Sequence, residues 1–135
     1  MIKDFKLIYN KMQTKTVLDR LPLAVSWTFE NKQYILESED KIIATCLKNR
    51  KEIAIVIAPF NIQKNKAIII NEDKTIKWDV SNLLKENKRT SCSIFSDVYY
   101  VLDELNFFIN EDNSYDFKFS FDSSTGKLGD LIQCK

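Results

Sequence analysis

Apolar and polar residues alternate along most of this chain, and short acidic turns interrupt the alternation. Three stretches share one form, in which an apolar run, an acidic turn and a second apolar run follow each other: residues 31–43, 65–76 and 106–115. This form is typical of a β-hairpin. Because the turns are short, the pattern predicts an antiparallel meander of about six to eight sequentially paired strands. Residues 53–58 are apolar throughout, which predicts a central strand covered on both faces.

The first residues of the chain have a helical spacing as well. Asp4 is a possible N-cap, and apolar residues follow at i, i+3, i+4 and i+7: Phe5, Ile8, Tyr9 and Met12. This spacing favours an amphipathic N-terminal helix, which Pro22 would end if the helix continued through residues 14–21. A strand is the alternative, because Phe5, Leu7 and Tyr9 also alternate.

The second half of the chain contains one short predicted helix and one ambiguous segment. Asp79 or Ser81 can cap a helix that continues to about Lys88. In residues 94–105 the apolar positions match a helical stripe, whereas the β-branched and aromatic content favours two strands, and both interpretations stay open. Strands are expected at residues 107–110, 115–121 and 127–134, with Gly126 supplying a positive φ in the turn. The expected fold class is α+β, with an N-terminal helix and one or two further helices packed against the sheet.

Length and charge restrict the possible functions. At 135 residues the chain is expected to form a single domain, residues 1–135, with one sizeable core. Twenty Lys and Arg against nineteen Asp and Glu give a net charge of +1, so we expect no nucleic-acid binding. The N-terminus lacks the continuous apolar region of a secretory signal, and no segment approaches the roughly 20 apolar residues of a membrane span. We therefore expect a cytoplasmic protein with no membrane partner.

The residue types that usually carry catalysis are absent or poorly arranged. The chain has no histidine, so three cysteines lack an activating imidazole and a typical zinc-ligand set: Cys46, Cys92 and Cys134. They are expected to be reduced, buried thiols. Adjacent carboxylates such as Asp103 and Glu104 occur without a phosphate-binding loop or a nucleophile motif. We therefore expect a protein that is not an enzyme and that has no metal or cofactor.

Acidic residues at the tips of the predicted hairpins are the candidate partner-binding residues. If the tips meet at one edge of the sheet, they form an anionic ridge that associates rapidly with a basic partner. The candidates are Glu37, Glu39, Asp40, Glu72, Asp73, Glu111 and Asp112. The alternative is that these are ordinary solvated turn residues.

The turns Ile70-Asn-Glu-Asp-Lys and Ile109-Asn-Glu-Asp-Asn, the small size and the Lys- and Ile-rich composition resemble those of bacterial immunity proteins. These proteins belong to contact-dependent inhibition and related polymorphic toxin systems. The resemblance implies a cytosolic antidote that binds the C-terminal domain of a cognate toxin, often a nuclease, and blocks its active site or substrate surface. Two other classes also fit the residues: a small-molecule carrier built as a barrel-like sheet, and a non-catalytic subunit of a larger assembly.

Overall fold

Twelve strands and one helix are present in the residues that the computed structural model describes, which are 1–9, 21–87, 93–111 and 115–134. The elements, in chain order, are β1 (Lys3–Ile8), β2 (Ala24–Phe29), β3 (Lys32–Glu37), β4 (Ile42–Cys46), β5 (Glu52–Ile57), β6 (Lys66–Asn71), β7 (Ile76–Asp79), α1 (Val80–Glu86), β8 (Ser93–Val101), β9 (Glu104–Glu111), β10 (Tyr115–Asp122), β11 (Lys127–Leu128) and β12 (Ile132–Cys134).

The strands form three antiparallel sheets instead of one. The first sheet has the order β1-β2-β3, the second β4-β5-β6-β7, and the third β11-β10-β9-β8, with β12 also paired to β10. Within each sheet the strands from β1 to β11 pair with their sequence neighbours as predicted, but β3 does not pair with β4 or β7 with β8, so the single six- to eight-stranded sheet was wrong. The Ile42 amide donates to the Pro22 carbonyl at 2.9 Å, and the Ala58 amide donates to the Lys41 carbonyl at 3.0 Å. Residues 38–41 therefore lead from the first sheet into the second and do not close a hairpin.

The second sheet is central, because a separate apolar core lies against each of its faces. Alternate residues of β5 and β6 belong to opposite cores, as the two-residue period of a strand requires. One set shares a core with α1 and the third sheet: Ala54, Val56, Ala67 and Ile69. The other set shares a core with the first sheet: Ile53, Ile55, Ile68 and Ile70. All eight are at most 4% exposed, which confirms that residues 53–58 supply a buried central strand.

The N-terminal segment is the strand β1, so the predicted N-terminal helix was wrong. The strand pairs with β2 and contributes Phe5 and Leu7 to the core beside the first sheet. A β-bulge near Asp4, whose φ is +53°, interrupts the alternation, and Ile2 and Phe5 both contact this core although they are three residues apart. The predicted helical stripe does not correspond to a buried face, because Ile8 is 37% and Tyr9 is 50% exposed. Met12 and residues 14–20 lie outside the described residues.

The one helix in the described ranges is α1, and it is too short to cross a membrane. Asp79 caps it by accepting a hydrogen bond from the Asn82 amide at 3.1 Å, as predicted. Residues 94–105 form a β8–β9 hairpin, so the helical alternative was wrong and the two-strand alternative is confirmed. A bulge after Phe95 places Phe95 and Val98 in the same core at a helix-like spacing. The expected α+β class is corrected to a mostly β structure with a single helix in its described part.

Three turns end in a cationic residue at positive φ, a conformation that usually selects glycine. In each turn the amide of the fourth residue donates to the carbonyl of the first: Lys41 to Ser38, Arg50 to Leu47 and Lys74 to Asn71. Gly126 also has a positive φ, +77°, as predicted, and a Cβ there would come within 2.7 Å of the Trp78 ring. The chain therefore forms these turns with only two glycines in its sequence.

Candidate protein-binding site

The loop between β5 and β6 exposes two large apolar side chains. Phe60 is 61% exposed and Ile62 is 79% exposed. Both belong to residues 58–65, which we call the Phe60 loop. Single exposed apolar residues are common on protein surfaces, but a close pair that includes an aromatic side chain is typical of a protein-binding site.

Hydrogen bonds inside the Phe60 loop fix its conformation. The Asn61 side chain accepts hydrogen bonds from the amides of Gln63 and Lys64, at 3.0 and 3.3 Å. The Asn61 carbonyl accepts from the Asn65 amide at 2.8 Å. Ala58, at the start of the loop, has a φ of +53°, which costs a residue other than glycine about 1–2 kcal/mol. Folding therefore sets the shape of the loop before any partner binds.

Asn65 ties the Phe60 loop to the third sheet. Its Nδ2 donates to the Phe95 carbonyl at 2.8 Å, and its Oδ1 accepts from the Phe95 amide at 2.8 Å. The same Nδ2 also donates to the Ala58 carbonyl at 3.2 Å. Through these bonds the side chain takes the place of a strand backbone beside β8. A loop held in this way loses little further conformational entropy on binding.

Carboxylates from the connection between β3 and β4 lie beside the Phe60 loop. Asp40 lines a shallow pocket of about 360 Å³ together with residues 60–63. Its Oδ2 lies 3.4 Å from the Lys64 Nζ. Glu37 and Glu39, which precede it, are both exposed. Three of the predicted contact residues therefore belong to the segment that adjoins the exposed apolar pair.

Glu111 lies at the same end of the molecule. It is the last residue of β9 and pairs with Ser93 of β8. Ser93 in turn lines a small pocket with Ile62 and Asn65. The structure thus brings Glu111 near the Phe60 loop, while Asp112 lies outside the described residues.

Glu72 and Asp73 lie at the opposite end of the central sheet, where β6 ends. The Glu72 carboxylate lies 3.4 Å from the α-amino group of Met1, and its backbone carbonyl accepts from the Trp27 indole at 2.8 Å. Asp73 accepts hydrogen bonds from the hydroxyl and amide of Thr75, at 2.5 and 3.1 Å, which lower the pKa of its carboxyl. Among the six candidates that the structure describes, these two are separated from the other four, so the tips do not meet at one edge.

A buried carboxylate, Glu52, organises this opposite end. It is 6% exposed and accepts hydrogen bonds from Asn49 Nδ2 at 2.8 Å, from Lys77 Nζ at 3.2 Å and from the Ser123 hydroxyl. These donors come from the β4–β5 turn, from β7 and from the β10–β11 turn. Glu52 therefore joins the central sheet to the third sheet.

The described residues contain no group of three or more Cys, Asp or Glu side chains that could hold a metal ion. Cys46 and Cys134 are free thiols, and both are half-buried instead of fully buried as expected, whereas Cys92 lies outside the described part. Burial raises the pKa of the Cys46 thiol. Burial also raises the pKa of the Asp97 carboxyl, which accepts a hydrogen bond from the Val98 amide at 2.8 Å.

The two cores are filled by side chains, and the three sheets do not form one closed barrel. A groove of about 470 Å³ lies at the surface, between the β8–β9 hairpin and the β10–β11 turn, and not inside a sheet. The architecture therefore differs from the hollow, barrel-like sheet that a small-molecule carrier would need.

No protein-family model matches this chain, and no curated protein matches it. Among solved structures, the chain is similar to one chain of the structure of Tne2 in complex with Tni2. The TM-score is 0.77, the sequence identity is 14%, and the match covers 100% of both chains. At this identity the likeness shows that the two chains share a fold.

Sequence reasoning did not single out Phe60 and Ile62. Residues 59–64 include Pro59, Asn61 and Lys64, which are typical turn residues, so the pattern there predicts only a turn between two strands. The available signal was the pair of large apolar residues inside that turn, where a surface loop is normally polar.

Proposed function

We propose that this protein is an immunity protein, which binds a cognate bacterial toxin domain and neutralises it by covering its active or substrate-binding surface. In this proposal the protein acts by binding and not by catalysis. The observation that carries the proposal is the rigid Phe60 loop, which holds two exposed apolar side chains next to the Asp40 carboxylate.

The fold gives independent support. The match to one chain of the structure of Tne2 in complex with Tni2 extends over the full length of both chains, so the shared fold occurs in a protein that forms a complex with another protein. The turn sequences, the small size and the composition, which resemble those of bacterial immunity proteins, support the same proposal. The proposed cognate partner of this chain is therefore a toxin C-terminal domain.

The physical role of the loop is to supply an anchor that is already ordered. Exposed aromatic residues that become buried at the centre of an interface often contribute about 2 kcal/mol or more to binding. Phe60 and Ile62 are the side chains placed to do so. Glu37, Glu39, Asp40 and Glu111 would form the rim, where carboxylates accelerate the encounter with a basic surface.

The first experiment is co-expression of this chain with the toxin domain encoded next to its gene, followed by measurement of growth and by pull-down. The chain should restore growth and co-purify with the toxin domain. Expression of the chain alone should leave growth unchanged. Growth arrest by the chain alone, or full toxicity without a complex, would contradict the proposal.

The second experiment locates the surface in the complex. The Phe60→Ala/Ile62→Ala variant should bind the toxin domain at least roughly 30-fold more weakly, which corresponds to a loss of about 2 kcal/mol. Both side chains are exposed, so its free energy of unfolding should match that of the parent protein. The Ile76→Ala variant, which also removes an exposed isoleucine, is the matched control and should bind normally.

A third pair of variants uses the two copies of the tripeptide Glu-Asp-Lys. Glu39→Gln/Asp40→Asn should slow association about tenfold at low salt, whereas Glu72→Gln/Asp73→Asn, with the same charge change, should not. Stopped-flow association at two salt concentrations measures the difference. Equal slowing by both pairs would show that the contact surface is not confined to the Phe60-loop end.

A further inference from the structure

A second surface, separate from the Phe60 loop, lies at the opposite end of the central sheet. It is the open groove of about 470 Å³, and its floor consists of four side chains that are at most 8% exposed: Leu47, Leu105, Phe121 and Leu128. Leu47 belongs to the β4–β5 turn, where its amide donates to the Glu52 carbonyl at 2.9 Å. The groove therefore runs between the central sheet and the third sheet on an apolar base.

The rim of this groove is predominantly acidic. Three exposed carboxylates, Asp103, Glu104 and Asp122, line it together with Lys127, and Lys48 lies beside Asp103, so carboxylates exceed lysines by one. An apolar floor alone would accept many ligands, but the excess of negative charge at the rim favours a cationic ligand.

The chain itself shows how this rim holds an ammonium group. The Lys48 Nζ lies 2.5 Å from Asp103 Oδ1 and 4.8 Å from the centroid of the Tyr100 ring, which also lines the groove. The Tyr100 hydroxyl accepts a hydrogen bond from the Lys48 amide at 3.0 Å, which fixes the ring. An ammonium or guanidinium group is stabilised where it lies over the face of an aromatic ring and next to a carboxylate.

The tip of the β8–β9 hairpin adds an apolar element next to the rim. Leu102 and Asp103 form the two-residue turn, with φ values of +48° and +69°. Such turns favour Asn-Gly, because a branched side chain is strained at positive φ. Leu102 is nevertheless 93% exposed. A leucine at this position is therefore favoured neither by the backbone conformation nor by burial of its side chain. Strain at an exposed position of this kind is characteristic of binding sites.

We propose that the groove and Leu102 together bind an extended segment of a partner protein that carries both cationic and apolar side chains. The cationic side chains would lie at Glu104 and Asp122, because Asp103 is already paired with Lys48, and the apolar ones on the groove floor and against Leu102. This inference does not depend on the Phe60 loop or on the identity of the partner as a toxin.

The test is NMR titration of the full ¹⁵N-labelled chain with a capped pentapeptide of alternating lysine and leucine. Amide shifts should cluster at the groove and at Leu102. The Glu104→Gln/Asp122→Asn variant should weaken binding about fivefold to tenfold at low salt. The charge-matched variant Glu86→Gln/Asp130→Asn, whose residues lie outside the groove, should bind like the parent. A peptide of alternating glutamate and leucine should not bind.

A further variant separates binding from folding. Leu102→Asn introduces a residue that tolerates positive φ, so the variant should be at least as stable as the parent protein. It also removes the apolar side chain, so it should bind the lysine–leucine peptide several-fold more weakly. Absence of shifts up to millimolar peptide, shifts confined to the Phe60 loop, or unchanged affinity of Leu102→Asn would each overturn the proposal. Equal shifts with spermidine would assign the groove to small polycations instead.

Discussion

The same tripeptide, Glu-Asp-Lys, occurs at both ends of the central sheet in the same local conformation. At one end the Lys41 amide donates to the Ser38 carbonyl at 3.2 Å, and at the other the Lys74 amide donates to the Asn71 carbonyl at 2.9 Å. The two lysines have nearly equal φ values, +77° and +74°. The local sequence therefore determines the shape of the turn.

The surroundings of the two turns differ. The first leads from one sheet to another and places Asp40 beside Phe60, whereas the second closes the β6–β7 hairpin. In the second turn the Asp73 carboxylate accepts a hydrogen bond from the Thr75 hydroxyl, two residues further along the chain. Identical residues thus present a surface at one end and stabilise the fold at the other, and their role is set by the strands that they connect. Four predictions test this contrast, in order of decreasing effect.

The largest effect is expected at Asn65, which holds the Phe60-loop end together. Asn65→Ala leaves the buried amide and carbonyl of Phe95 without their partners and should lower the free energy of unfolding by about 3 kcal/mol. Urea denaturation measures the change. Asn71→Ala, at the other end of β6, removes one exposed bond to Thr75 and should cost less than about 1 kcal/mol. Equal losses would mean that the Asn65 contacts do not hold the loop.

The opposite end depends on Glu52. Glu52→Ala removes the common acceptor of Asn49, Lys77 and Ser123 and should lower the free energy of unfolding by about 2 kcal/mol. Denaturant unfolding of the free protein measures the change in stability, and titration with the toxin domain measures the affinity. Affinity for the toxin domain should stay at the parent value, because Glu52 lies away from the Phe60 loop. A loss of affinity without a loss of stability would contradict the contrast between the two ends.

The two lysines at positive φ should respond to glycine with opposite signs. Lys74→Gly relieves backbone strain and should stabilise the protein by about 0.5 kcal/mol after the entropy of glycine is counted. Lys41 is only 7% exposed, so Lys41→Gly also removes packing of the aliphatic stem and should destabilise by about 1 kcal/mol. Thermal unfolding of both variants gives the comparison. Stabilisation by both substitutions would show that strain outweighs packing at Lys41, and destabilisation by Lys74→Gly would contradict the argument from strain.

The smallest effect concerns the titration of Asp73. Because its pKa is lowered in the folded state, its contribution to stability is present above the unfolded pKa of about 3.9 and is lost as pH falls through the lower folded value. Thr75→Val removes the hydroxyl donor, so the Asp73 pKa should rise toward its ordinary value. Carbon-detected NMR titration of the carboxyl reports this shift. An unchanged pKa in the variant would assign the lowering to the backbone amide alone.

Much of the local structure could be predicted from the sequence because the responsible interactions are local. Alternation located most strands, the unbroken apolar run located β5, and Asp79 and Gly126 marked a helix cap and a turn. In residues 94–105 a bulge made the pattern ambiguous, because one extra residue after Phe95 places Phe95 and Val98 in the same core at a three-residue spacing that resembles a helix. At the N-terminus the error had another cause, since the apolar residues Ile8 and Tyr9 fit a helical stripe but are exposed.

The division into three sheets and the position of the candidate site could not be predicted, because both depend on contacts between distant residues. Nothing near residues 38–41 indicates that this turn leaves its sheet, since its sequence matches that of the β6–β7 hairpin turn. Asn65 bonds to Phe95, which is 30 residues away in sequence. The rigidity of the Phe60 loop therefore cannot be predicted from the residues of the loop itself. The acidic residues were identified, but their separation into two groups follows from topology.

The two tryptophans are intrinsic fluorescent probes, one in each half of the protein. Trp27 lies in the core beside the first sheet and Trp78 packs against the core beside the third, and each indole donates to a carbonyl 45 residues away in sequence. Single Trp→Phe replacements would therefore let fluorescence follow each half of the protein separately during unfolding. Emission changes that coincide would show that the central sheet couples the halves into one cooperative unit.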